Sequence, residues 1–129
     1  MRLSEQQSDF FWMVVDLGNF AKKLFNDDGI YLKVQQWNRT LEEQRKLYDR
    51  GLTKTLRSKH LNDLAVDFQL MKNGQPIYES PIYAQLGGYW KSIGGVWGGD
   101  WRMPNGDYDV YHFEYNLKKR LEYRRARDG

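Results

Sequence analysis

The segment Leu64 to Met71 (LAVDFQLM) alternates in polarity, is rich in strand-forming residues and is followed by the tight-turn signal Asn73-Gly74. It reads as a central strand, so the rest of the chain must supply partners beside it and helices to cover it. Tyr31 to Trp37 (YLKVQQW) alternates in part and predicts a second strand, and Val110 to Tyr115 (VYHFEY) a third. Helical periodicity fills the intervals. Ser4-Glu5-Gln6-Gln7 fits a capping box, and Phe10, Phe11, Val14, Leu17, Ala21, Leu24 and Phe25 recur at helical spacing, which predicts a helix over about 5–25. Thr40-Leu41-Glu42-Glu43 is a second capping box opening a helix that carries Leu41, Leu47 and Tyr48 and stops at Gly51. Pro81 to Ile93 predicts a third helix in spite of Gly87-Gly88, and the chain ends in a basic helix or tail over 117–129. The order α, β, α, β, α, β, α predicts an α+β fold, a small and mostly antiparallel sheet with helices packed against it.

A length of 129 residues corresponds to one domain, and 40% hydrophobic content with 16% aromatic residues is enough to build its core. The absence of cysteine excludes disulfides, thiolate metal sites and thiol nucleophiles. The apolar run Phe10 to Val15 is too short for a secretory core or a membrane span, and acidic Glu5 and Asp9 precede it. Net charge is +3, but residues 117–129 alone carry six basic side chains against Glu122 and Asp128. A basic tail on a near-neutral body suits an anionic cell wall or membrane surface, and equally suits a solvated terminal helix.

Two histidines are present, each with acidic neighbours. His60 precedes Asp67 by seven residues, which on a helix would separate them by about 10 Å along the axis. A chain reversal at Asn62 to Leu64 instead brings them opposite each other on neighbouring strands. The second group is Asp109-Val110-Tyr111-His112-Phe113-Glu114, where His112 and Glu114 share a strand face and Asp109 reaches in from the leading turn. Two imidazoles and one carboxylate suit a catalytic zinc with one open position, and a further carboxylate would serve as general base. Either histidine alone is better explained as a satisfied structural residue, and the combination shifts that balance toward a metal. The aromatics Trp37, Trp90, Trp97, Trp101, Tyr108 and Tyr111 suit a core or a substrate groove.

Ser58-x-His60 followed by Ala65-x-Asp67, and later Asp109-x-x-His112-Phe113-Glu114, resembles the zinc peptidases of the D-alanyl-D-alanine carboxypeptidase and L-alanyl-D-glutamate endopeptidase group, especially small phage endolysins. Arg39-Thr40, Glu42-Glu43-Gln44, Leu47-Tyr48 and Gly51 are similar to the family's segment upstream of the first histidine. Gly87 to Trp90 and Gly94 to Asp100 are similar to its glycine- and tryptophan-rich stretch, so the likeness runs from Ser4 to Glu114. The resemblance implies His60, Asp67 and His112 as ligands of Zn2+, Asp109 as catalytic base, Arg39 as the group engaging substrate or oxyanion, and Ser58 as support. Glu114 then orients a ligand or replaces Asp109 as base. Two positions depart from the family's pattern: Asp63 stands where glycine is common, and Asn38 where an aromatic usually precedes the arginine. Asp tolerates a positive φ better than most residues, and an inward carboxylate would add negative charge near the metal.

The expectation is therefore a single zinc peptidase domain cutting the peptide stem of peptidoglycan at the L-alanyl-D-glutamate bond. It would act as a monomeric phage endolysin, made without a signal peptide in the host cytoplasm and released through a holin-type lesion. A D-alanyl-D-alanine carboxypeptidase is the alternative within the class. A non-enzymatic module binding polyanions or cell wall through the tail is the alternative outside it, and no nucleic-acid partner is expected.

Overall fold

The computed structural model describes residues 1–53, 55 and 57–128. Helix α1 spans Leu3–Phe25 and buries Phe10, Met13, Leu17, Ala21 and Phe25, one stripe at helical spacing. Its start differs from the sequence expectation. Ser4 lies inside the helix and Arg2 is the cap, with Glu5 Oε1 accepting from the Arg2 backbone N–H at 3.4 Å. The glutamate arm of a capping box is thus present, and Ser4 supplies no hydroxyl arm. The second helix, α2 (Leu41–Asp49), has the full box: Thr40 Oγ1 accepts from Glu43 N at 3.1 Å, and Glu43 Oε1 accepts from Thr40 N at 3.2 Å.

The sheet has five strands, β1 (Ile30–Gln36), β2 (Ala65–Lys72), β3 (Gln75–Ile77), β4 (Val96–Trp97) and β5 (His112–Glu114), and every pairing is antiparallel. The order β1-β2-β5-β4 makes LAVDFQLM central, with β3 sharing the β5 edge of β2. Asn73-Gly74 closes the β2–β3 turn with φ of 52° and 74°. Val66, Phe68 and Leu70 pack into the core with α1, with Phe113 of β5, and with Tyr83, Leu86 and Trp90 of α3 (Pro81–Ser92). Phe10 meets Trp37, Trp90 and Tyr115 edge to face at 5.5, 5.8 and 6.4 Å. By strand alternation Asp67 points away from Val66 and Phe68, so the core lies on one side of β2 and a polar site can form on the other.

Gly87 within α3 has a packing reason. A Cβ there would come within 2.2 Å of the Trp97 ring, so glycine lets β4 lie against the helix. The third predicted strand is shorter than its sequence pattern. Val110 and Tyr111 belong to a turn closed by His112 N donating to Asp109 O at 3.2 Å, which swings Asp109 toward the site.

The basic segment forms helix α4 (Leu117–Asp128), and much of it is structural. Arg120 is 6% exposed; its Nε donates to Asp9 Oδ2 at 3.0 Å and its Nη1 to the Ile93 carbonyl at 2.8 Å. Arg124 also reaches Asp9, which accepts from Tyr115 Oη at 2.9 Å as well. Lys118, Lys119, Arg125 and Arg127 are exposed. No helix among the described residues is long and apolar enough to cross a membrane.

Candidate metal centre

Strand pairing builds half of the site. Asp67 and His112 are directly opposed in the β2–β5 register, and His112 Nδ1 lies 3.1 Å from Asp67 Oδ1. His60 arrives differently from the sequence expectation, which put it on a strand opposite Asp67. It lies on a short 3-10 turn, Lys59–Asn62, because Ser58 Oγ caps the turn by accepting from His60 N at 3.2 Å and Asp63 ends it in the left-handed region at φ 56°. Tightening of this kind fits a four-residue connector better than a strand does. His60 Nε2 then sits 3.2 Å from both His112 Nδ1 and Asp67 Oδ1.

These three atoms form a nearly equilateral triangle. Tetrahedral zinc with bonds of 2.0–2.2 Å would set its ligand atoms about 3.3–3.5 Å apart, so the triangle matches a three-ligand face after a small expansion. The chemistry of the donors agrees. His60 Nδ1 is 3.0 Å from the Trp37 carbonyl and so carries the hydrogen there, while His112 Nε2 is 2.8 Å from Glu114 Oε1 and carries its hydrogen on that side. In the neutral tautomers that these contacts select, the remaining nitrogens, His60 Nε2 and His112 Nδ1, each turn a lone pair toward Asp67 Oδ1. Three lone pairs converging on one point need a cation or a shared proton between them. Without a metal, burial resists charging His112, but hydrogen bonds to Asp67 and Glu114 outweigh it and push the imidazole up to about 9. Burial likewise opposes ionisation of Asp67, yet the two histidines hold its carboxyl well below the usual carboxylate range.

Segment 37–39 braces this triangle. Besides the Trp37 carbonyl on His60, Arg39 N donates to His60 O at 3.2 Å. The two positions that depart from the resembled pattern meet each other here: Asn38 Nδ2 donates to Asp63 Oδ1 at 2.9 Å, so the Asp63 carboxylate is engaged by Asn38. A register shift between Val34 and Gln36 opposite β2 redirects the chain into this segment.

The triangle opens into a cleft of about 550 Å³. Arg39, Arg57 and Ser58 line it, as do Trp101, Tyr108 and Tyr111 from the loop before β5. Trp101 lies 5.1 Å from the His112 ring, whereas Trp90 and Trp97 are core residues. Asp109 also lines the cleft; burial first, then the negative charge of Asp67, raises its pKa above the ordinary value. Arg39 lies 3.6 Å from Asp67 Oδ2 through Nη2, and Gln36 and Gln44 hold the same guanidinium. Sequence reasoning gave Gln36 and Gln44 no role. For Gln44 a signal existed, an uncharged polar residue set at helical spacing among Leu41, Leu47 and Tyr48.

A family profile described as D-alanyl-D-alanine carboxypeptidase matches residues 51–115, half of the chain and all of the triangle. The L-alanyl-D-glutamate peptidase of Listeria phage A118 is 33% identical over 105 residues, covering 76% of this chain and 36% of its own length. This chain thus spans about a third of that relative. Among solved structures, the L-Ala D-Glu endopeptidase ChiX of Serratia marcescens superposes with a TM-score of 0.56 at 29% identity over 69% of each chain. A Zn(II) complex of the vancomycin-resistance D,D-pentapeptidase VanY shares the fold at TM-score 0.59 and 18% identity, covering 90% of this chain and 76% of VanY. On the profile match and the phage relative together, this chain belongs to the D-alanyl-D-alanine carboxypeptidase family.

Proposed function

We propose that the protein is a zinc-dependent peptidoglycan peptidase that cleaves the L-alanyl-D-glutamate bond of the peptide stem. The observation that carries this reading is the convergence of His60 Nε2, Asp67 Oδ1 and His112 Nδ1 at 3.1–3.2 Å, with the outer nitrogen of each imidazole already engaged. These three residues would hold the zinc, and Glu114 and the Trp37 carbonyl would orient its histidines. When bound, zinc supplies Lewis-acid polarisation of the scissile carbonyl and lowers the pKa of an attacking water.

The remaining chemistry falls to the chain. Asp109 accepts the proton of the water as its oxygen adds to the carbonyl carbon, and delivers that proton to the nitrogen as the C–N bond breaks. Its raised pKa suits a group that must take up a proton and release it. Glu114 is the weaker candidate for base, because its Oε1 is committed to His112 Nε2. Arg39, fixed beside Asp67, supplies positive charge against a developing oxyanion. Trp101, Tyr108 and Tyr111 give the cleft flat apolar walls.

The choice of bond rests on the phage relative and on ChiX, both L-alanyl-D-glutamate enzymes by name. The phage relative also supports a lytic role, with the protein made in the host cytoplasm and reaching the wall through a holin-type lesion. The family's own description favours a D,D-carboxypeptidase as the second reading. Mass spectrometry of digested sacculi separates the two. The proposed cleavage leaves L-Ala on the glycan and frees peptides beginning with D-Glu. Single D-Ala as the sole product, with the network intact, would overturn the bond assignment.

A further inference from the structure

Gln44 is fully buried, yet it lies on α2, where no other side chain is buried. Packing of that helix does not call for it. Both ends of its carboxamide are in use. Oε1 accepts from Arg39 Nη1 at 2.8 Å, while Nε2 donates to the Thr55 carbonyl at 2.7 Å. Thr53 and Thr55 line the cleft. Arg39 is fixed from a second side by Gln36 Oε1, 3.2 Å from Nε and 2.8 Å from Nη2, and Nη2 faces Asp67 Oδ2 at 3.6 Å. The other oxygen of Asp67 belongs to the triangle.

Because the guanidinium is planar and rigid, a bond at Nη1 together with bonds at Nε and Nη2 fixes its plane as well as its position. An amide suits the junction, since one end must accept from a cation and the other must donate to a carbonyl. A carboxylate or an apolar group of the same length does one of these tasks or neither. We propose that Gln44 is a positioning residue that sets Arg39 against Asp67 and, through the same carboxamide, holds Thr53 and Thr55 at the wall of the cleft. The triangle and the substrate wall then share one support. This rests on the reading of His60, Asp67 and His112 as a zinc site.

The test compares wild type, Gln44→Met, Gln44→Glu, Arg39→Lys and the two double variants. Zinc affinity is read by chelator competition, kcat and KM on a soluble peptide containing the L-alanyl-D-glutamate bond, and folding by thermal melting of the metal-free protein. Gln44→Met should weaken zinc by less than the roughly tenfold to hundredfold expected for a ligand's direct partner, because Gln44 reaches Asp67 only through Arg39. Gln44→Glu retains an acceptor for Arg39 but sets an oxygen against the Thr55 carbonyl, so KM should rise more than kcat falls. In the Arg39→Lys background either Gln44 change should lose most of its effect on zinc, because both act through the same group. Additive effects would overturn the proposal. So would a lowered melting temperature with zinc affinity, kcat and KM unchanged, which is the signature of a merely structural glutamine. If Gln44→Met does not fold, Gln44→Glu carries the same comparison. A wild-type protein that binds no zinc would instead overturn the underlying reading and this proposal with it.

Discussion

At the scale of single residues, the geometry bears on two carboxylates that the sequence ranks, Asp109 as the implied base and Glu114 as its alternative. Asp109 and Glu114 both flank His112, but only Glu114 is 2.8 Å from its Nε2. Asp109 is the one whose burial beside Asp67 raises its pKa. Asp109→Asn keeps size and polarity but removes the proton acceptor, so turnover should fall by about 10² to 10⁴ with zinc content unchanged, measured by steady-state kinetics and metal analysis. Glu114→Gln should show the opposite division, a zinc affinity lower by about tenfold to a hundredfold and a smaller loss of turnover at saturating metal. Reversed outcomes would exchange their roles. The pair formed by Asn38 and Asp63 teaches a related lesson. Each looks like a lone departure in the sequence, and their compensation is visible only once the left-handed residue at 63 and the segment before Arg39 are brought together.

At the scale of elements, local chemistry made some features legible in the sequence and hid others. The Thr40 box, the Asn73-Gly74 turn and the alternation of β2 all depend on neighbours in sequence, and all three appear in the structure. Strands β3 and β4 do not announce themselves. They have three and two residues, too few for a period to show, and pairing with β2 and β5 defines them. The His60 turn escaped for the same reason, since the capping bond of Ser58 is local but the contact that orients the imidazole comes from Trp37. Helix α4 is the clearest case, because its charge pattern suggests a solvated or wall-binding tail while Asp9, over a hundred residues away, neutralises its inner face. Arg120→Ala should leave the Asp9 carboxylate buried with less compensation and cost about 3–5 kcal/mol, read as a lower midpoint in chemical denaturation. Deletion of 117–129 should unfold the protein rather than merely detach it from walls. A truncated chain with native circular dichroism and melting behaviour would show the helix to be dispensable.

For the whole molecule, one apolar core supports a cleft on the other side of the central strand, and Lys118, Lys119 and Arg125 of α4 are exposed at the surface, while Arg127 pairs with Asp128. Changing Lys118, Lys119 and Arg125 together to Gln leaves the Asp9 contacts intact. Binding to anionic walls should therefore weaken and lose salt dependence, while cleavage of a small soluble muropeptide continues at its wild-type rate. Equal wall binding across a salt series would exclude this surface. Metal stoichiometry tests the three converging donors directly. Elemental analysis of the purified wild-type protein should give about one zinc per chain, and His60→Ala, Asp67→Ala and His112→Ala should each lose most of it. Full zinc occupancy together with full activity in all three variants would contradict the account.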